Sequence, residues 1–136
     1  MSYRLLIVED TPALLDAISV FFREKGAGIW EVETSSNGND ALEKVRSEEF
    51  DLMILDIMLP GASGFDICRA ARKKGDCPII FLTALGAEPE IMKGYEIGCD
   101  DYVVKPFRYA ISMPRVLLFL SAQKERKRRR HYLAEL

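Results

Sequence analysis

Short apolar runs and helical patterns alternate along the chain. The runs are Arg4–Val8, Ile29–Thr34, Leu52–Leu55, Pro78–Leu82 and Tyr102–Val104. The first, third and fourth are almost continuously hydrophobic, as expected of strands buried on both faces. The second is the weakest, with Trp30 and Val32 alternating with polar residues. Between the runs lie amphipathic stretches. In the first, Leu14, Leu15, Ile18, Phe21 and Phe22 recur at i, i+1, i+4, i+7 and i+8 and form one helix face. Thr11 suits its N-cap and Pro12 its first turn, and Gly26 and Gly28 end it. Further helices are expected over about Gly38–Ser47, Gly64–Lys74 and Ala87–Ile97. A last helix follows Pro106, where Pro114 either delays its start, with Ser112 as cap, or kinks it. Strict alternation of strand and helix predicts an α/β fold with a parallel sheet covered on both faces.

Composition narrows the class. The 136 residues are 49% hydrophobic and 29% charged, which fits one globular domain. No apolar run approaches the ~18–20 residues of a membrane span, and the N-terminus lacks the layout of a signal peptide. Cys68, Cys77 and Cys99 make neither a disulfide framework nor a zinc pattern, so they read as reduced thiols of a cytoplasmic protein. With His131 the only histidine, histidine-based catalysis and histidine metal cages are close to excluded. Residues 1–120 hold 13 Lys+Arg against 19 Asp+Glu, a net of −6, whereas residues 121–136 hold 6 against 2, a net of +4. An acidic body therefore carries a basic tail.

The chemistry gathers at strand ends. In an open parallel sheet, ligands bind beyond the carboxyl ends of the strands. There the first strand presents Glu9 and Asp10, the third Asp56, the fourth Thr83 and the fifth Lys105. Adjacent like charges at about 4 Å repel by on the order of 4 kcal/mol at an effective dielectric near 20. Three carboxylates on one rim are explained by a cation, and hard oxygen donors suit Mg²⁺. One carboxylate could then act as a nucleophile toward a phosphoryl group, with the lysine and the hydroxyl stabilising its oxygens. Taken singly, each of these residues is usually a helix cap or a surface turn. Their shared edge is what carries the argument.

The segments "VEDTP", "DLMILDIMLPGASGFDICRAAR", "PIIFLTA" and "GCDDYVVKPF" resemble the receiver domain of bacterial two-component response regulators, the CheY-like superfamily, over about residues 3–120. The last two segments are most similar to the OmpR/PhoB class. The resemblance implies a doubly wound five-stranded sheet of order 2-1-3-4-5 and a division into a receiver domain, 1–120, and a basic linker or tail, 121–136. It implies that Asp56 accepts a phosphoryl group from a sensor histidine kinase. Asp10, Asp56 and the backbone carbonyl of Met58 would ligate Mg²⁺, with Glu9 acting mainly through water. Lys105 would bridge Asp56 and the phosphoryl group, Thr83 would follow a phosphoryl oxygen, and Tyr102 would be the switch aromatic. The Lys105–Pro106 bond would be cis. The class pairs as a homodimer through the fourth helix, fifth strand and fifth helix. Here one ionic pair of that surface is replaced by Ile91 and Ile111, while Asp101 and Arg115 keep another. The sixteen residues after 120 are too few for a winged-helix module, so any DNA-binding output domain is expected outside this chain.

Other chemistries fit less well. An aspartate-nucleophile phosphatase of the haloacid-dehalogenase type carries a second Asp two residues on, where Met58 stands here. A flavodoxin-like cofactor binder needs a phosphate-cradling first loop, and "EDTP" offers negative charge instead. A pseudo-receiver usually lacks a key residue, and here the set is complete. A phospho-accepting switch, rather than a turnover enzyme, is the expectation.

Overall fold

Strand β1 (Tyr3–Val8) runs into helix α1 (Pro12–Lys25), followed by β2 (Trp30–Ser35), α2 (Gly38–Ser47), β3 (Leu52–Leu55), α3 (Gly64–Lys74), β4 (Ile79–Thr83), α4 (Glu88–Ile97) and β5 (Asp101–Val104). These assignments come from a computed structural model, which describes residues 3–25 and 28–105. The expected last helix, with Ile111, Pro114 and Arg115, lies outside the described residues, as do Pro106 and the basic tail.

The five strands form one parallel sheet in the order β2-β1-β3-β4-β5. Chain order reverses between β1 and β3, where this topology opens a crevice at the strand ends. Strands β3 and β4 are buried at every position. Strand β2 is an edge with a mostly half-buried pattern, which explains its weak hydrophobic signal. Leu6, Val8, Leu55, Phe81 and Ile67 belong to the main core cluster, lined by α2, α3 and the sheet. Phe81 packs edge-on against both Phe65 and Tyr102.

Helix boundaries follow local chemistry. Asn37 caps α2 by accepting from Asp40 N at 2.8 Å. Ser63 and Asp66 form a reciprocal capping box at the start of α3, and the bonds from Ser63 hold the Asp66 carboxyl below its usual range. Arg72 clamps α3 to the approaches of β4 and β5, donating to the carbonyls of Cys77 and Gly98 and to Asp100 Oδ2.

All three cysteines are free thiols. Burial pushes Cys68 up to about 11 and Cys99 up to about 12, so neither forms a thiolate at neutral pH.

Candidate functional site: an acidic cluster at the carboxyl edge

The sheet's hydrogen bonding continues one residue past three strands and thereby sets the site. Glu9 N–H donates to Ser35 O (3.1 Å), Asp56 N–H to Val8 O (2.9 Å) and Lys105 N–H to Thr83 O (2.7 Å). Glu9, Asp56 and Lys105 are thus locked to the same edge by backbone pairing, before any side chain contributes.

Glu9 and Asp56 are almost fully buried, at 2% and 5% exposure, whereas Asp10 is exposed. One carboxylate oxygen from each lies within 4.8 Å of the others. Lys105 reaches from the end of β5 back across β4, a span of about 10 Å at a strand spacing of ~4.8 Å. Its Nζ donates to Asp56 Oδ2 at 2.8 Å and also to Glu9 Oε1. Asp56 Oδ1 accepts from the backbone N–H groups of Ile57 (2.7 Å) and Met58 (3.3 Å). Glu9 Oε2 accepts from Thr11 N–H at 3.2 Å.

One ammonium therefore serves two buried carboxylates. Burial pushes the Glu9 carboxyl above its ordinary value, the Lys105 and Thr11 bonds only partly offset that, and the Asp56 charge adds to it. Burial alone would pull the Lys105 ammonium down, but its bonds to Asp56 and Glu9 outweigh that and hold it above its ordinary value. The sequence reading assigned Glu9 a role mainly through water. In the fold Glu9 is the most buried of the three acids and a direct partner of Lys105.

Thr83 is fully buried, and its Oγ1 accepts from Leu85 N–H at 3.3 Å. The Tyr102 ring is turned inward, and its hydroxyl donates to the Leu85 carbonyl at 2.5 Å. Burial pushes the Tyr102 phenol up to about 12. Leu85 therefore touches Thr83 through its N–H and Tyr102 through its carbonyl, so a single residue couples the two. Met58 projects its side chain into solvent, at 59% exposure.

The remaining candidates gather less closely. Ile91 is half-buried and packs on the core. Asp101 is the first residue of β5 and is buried, its Oδ1 accepting from Tyr102 N–H at 2.9 Å and from the Tyr95 hydroxyl. Ile111 and Arg115 lie outside the described residues.

Sequence reasoning missed Gly64. A Cβ there would stand 2.2 Å from the Asp56 carbonyl oxygen and 2.7 Å from Ile57 Cα. The available signal was a glycine in the first turn of a helix, where propensity disfavours it.

The sequence model of the response regulator receiver domain family matches residues 5–113, and the chain belongs to that family. It is similar to the BeF3-activated receiver domain of DrrB, with 34% identity, 89% of this chain and 99% of that chain covered, and a TM-score of 0.78. The longer structure of DrrB, a Thermotoga maritima OmpR/PhoB homolog, aligns at 34% identity and TM-score 0.78 over 90% of this chain, which spans 54% of that one. A CheY-like response regulator receiver domain protein from Methanospirillum hungatei JF-1 aligns at 26% identity and TM-score 0.82, covering 93% of this chain and 99% of that chain. Family membership makes the chain a phospho-accepting regulatory module of a two-component system, rather than a turnover enzyme, and implies a histidine kinase as its partner.

Proposed function

We propose that Asp56 accepts a phosphoryl group from a sensor histidine kinase with the help of Mg²⁺, and that the acyl phosphate alters a partner surface. The carrying observation is the convergence of Glu9, Asp10 and Asp56 within 4.8 Å, with Lys105 bonded to Asp56. An oxygen of the Asp56 carboxylate forms the new P–O bond as the P–N bond to the donor imidazole breaks, and the imidazole nitrogen keeps the electron pair. Lys105 stands beside the accepting carboxylate, where it can neutralise charge on the transferred oxygens. Thr83 supplies a hydroxyl on the same edge, and its movement would release or hold Leu85 and hence Tyr102.

The residues present fit a hard divalent cation. They are oxygen donors, and the site already holds one positive charge between two of its acids. Asp10, Asp56 and the Met58 carbonyl would hold Mg²⁺, with Glu9 supporting it. When bound, the ion offsets negative charge on the phosphoryl oxygens.

Intact-mass spectrometry after incubation with acetyl phosphate and Mg²⁺ should show one added phosphoryl group, absent in Asp56→Asn. Labelling of the Asn variant at the wild-type level would remove Asp56 from the role.

The acyl phosphate should be long-lived. Hydrolysis needs a water held in line, and the side chains two residues beyond Asp56 and Thr83 are Met58 and Leu85. Neither can orient water, so a lifetime on the order of hours is expected in the pure protein. Loss of the mass label within a minute would contradict this.

The similarity to an OmpR/PhoB homolog supports a cytoplasmic regulator of that class, acting on DNA through an output domain outside this sequence. It also supports a phosphorylation-favoured homodimer through Ile91, Asp101, Ile111 and Arg115. Ile91 serves the core as well, so exposed Met92, Tyr95 and Val104 extend the apolar surface of α4 and β5. A rim ion pair is worth ~0–1 kcal/mol and fades with salt, whereas apolar burial does not. Sedimentation of the beryllofluoride-treated protein should therefore show a dimer that persists as salt rises. A monomer at all concentrations would end this reading.

A further inference from the structure

Residues 1–105 are strongly acidic, with 11 Lys+Arg against 19 Asp+Glu. Yet four of those eleven cations, Arg46, Arg69, Lys73 and Lys74, line a single groove of about 440 Å³ between α2 and α3, with Asp66 its one acid. The floor is apolar, formed by Leu42 and Ala70, which pack against the core beneath. Two of the cations are already committed. Lys74 donates to the carbonyls of Val45 and Glu48 at the end of α2 and pairs with Glu49, while Arg69 pairs with Asp66 across the helix surface. Arg46 and Lys73 are exposed and, among the described residues, their side chains have no hydrogen-bond or ion-pair partner.

We propose that this α2–α3 groove is a docking site for an acidic amphipathic helix of a partner protein. Its apolar side chains would rest on Leu42 and Ala70, and its carboxylates would meet Arg46 and Lys73. Charge complementarity selects the occupant. The surrounding body repels any extended anion, so only a ligand that concentrates its negative charge at the groove gains there. An apolar floor within a charged rim is the anatomy of a protein contact, in which the floor supplies affinity and the rim supplies orientation. A nucleic-acid strand would leave the floor unused and would set its remaining phosphates against the acidic body. The groove also adjoins the phosphorylation edge. Ala62, one of its lining residues, is held to α2 by its N–H to Asn39 Oδ1 at 3.1 Å and lies on the loop that joins Asp56 to α3. The proposal does not depend on whether Asp56 is the phosphoacceptor.

The test is an amide NMR titration of the whole chain with a synthetic helical peptide that carries Leu on one face and Glu on the other. Shifts should concentrate on α2 and α3, and affinity should fall as salt rises. Arg46→Glu with Lys73→Glu should weaken binding about ten-fold or more, as reversal of charges facing a charged partner does. The same double variant should retain a native amide spectrum and bind better to the peptide with Lys in place of Glu. Several outcomes would overturn the proposal: no shifts, shifts centred on α4 and β5, equal binding of a sequence-scrambled peptide, or indifference to the charge reversal. Preferential shifts with a short oligonucleotide would assign the groove to nucleic acid instead. Shifts on the same helices that grow with protein concentration alone would assign it to a second copy of the chain.

Discussion

Gly64→Ala should lower the unfolding free energy by about 3 kcal/mol or more, the upper part of the range for overpacking a filled interior. The new Cβ would lie 2.2 Å from the Asp56 carbonyl oxygen, 2.9 Å from its carbonyl carbon and 2.7 Å from Ile57 Cα. All three are backbone atoms, so no side-chain rotation can relieve the clash. The neighbours are themselves pinned, because Gly64 N–H donates to Ile57 O at 3.0 Å and Asp56 N–H to Val8 O at 2.9 Å. Relief must come from moving α3 away from the sheet or from moving Asp56. The variant should therefore also accept the phosphoryl group from acetyl phosphate more slowly than its folded fraction explains. Gly75→Ala is the control, because nothing lies within 4 Å of a Cβ there. It should change stability by no more than about 0.5 kcal/mol, as surface changes usually do. Urea unfolding of the two variants checks the prediction, and equal midpoints would refute it. Gly38 is held in the same way, since a Cβ there would stand 1.6 Å from the Ala62 carbonyl oxygen.

Lys105→Met should cost about 3–5 kcal/mol of metal-free stability at neutral pH, the usual penalty for removing one partner of a buried ion pair. The ammonium is the side-chain cation bonded to both Glu9 and Asp56, and both acids are almost fully buried. Methionine keeps the stem's packing and removes only the charge. The pH dependence has a definite sign. The folded Glu9 carboxyl already titrates above its unfolded value because of burial. A carboxyl raised in this way favours the folded state while protonated, and that advantage is lost as pH rises through the folded value. Without the lysine, the raised value climbs further. The deficit of the variant should thus be small near pH 4 and grow toward neutrality. Mg²⁺ should stabilise the variant more than the wild type, because lysine no longer competes for the same oxygens. Denaturant unfolding at several pH values, with and without Mg²⁺, measures all of this. A deficit independent of pH would show that the lysine acts by packing alone.

Much of the fold was legible in residue order. The continuous apolar runs ending at Val8, Leu55 and Leu82 could only be strands covered on both faces, and they form the centre of the sheet. The spans Gly38–Ser47 and Gly64–Lys74 were readable from helical spacing, and the structure adds caps that are themselves local. Asn37 and Ser63 bond groups three residues away, within reach of any sequence window. The edge strand β2 was faint for the converse reason: with a neighbour on one side only, it needs fewer apolar positions. The candidate site was legible as a set of residue types, because topology obliges each strand's last residues to share one rim.

What the sequence could not carry were distances between residues far apart in the chain. That Lys105 would spend its ammonium on Glu9 as well as Asp56, across 96 and 49 positions, depends on how far a buried side chain must reach to find a counter-charge. That Leu85 would touch both Thr83 and Tyr102 depends on where a loop is laid over the strand ends. Three of the four cations of the α2–α3 groove, Arg69, Lys73 and Lys74, are close together in α3, but Arg46 comes from α2 on the far side of β3, and only the fold sets it beside them around one apolar floor. Only the basic tail stood out as a charge run. The sequence by itself determined the alternation of elements and the chemistry delivered to the strand ends, because those follow from short-range periodicity and chain order. Only the tertiary structure decided which charges neutralise one another, which glycines admit no Cβ and where positive potential collects, because each depends on packing that brings distant segments within a few ångströms.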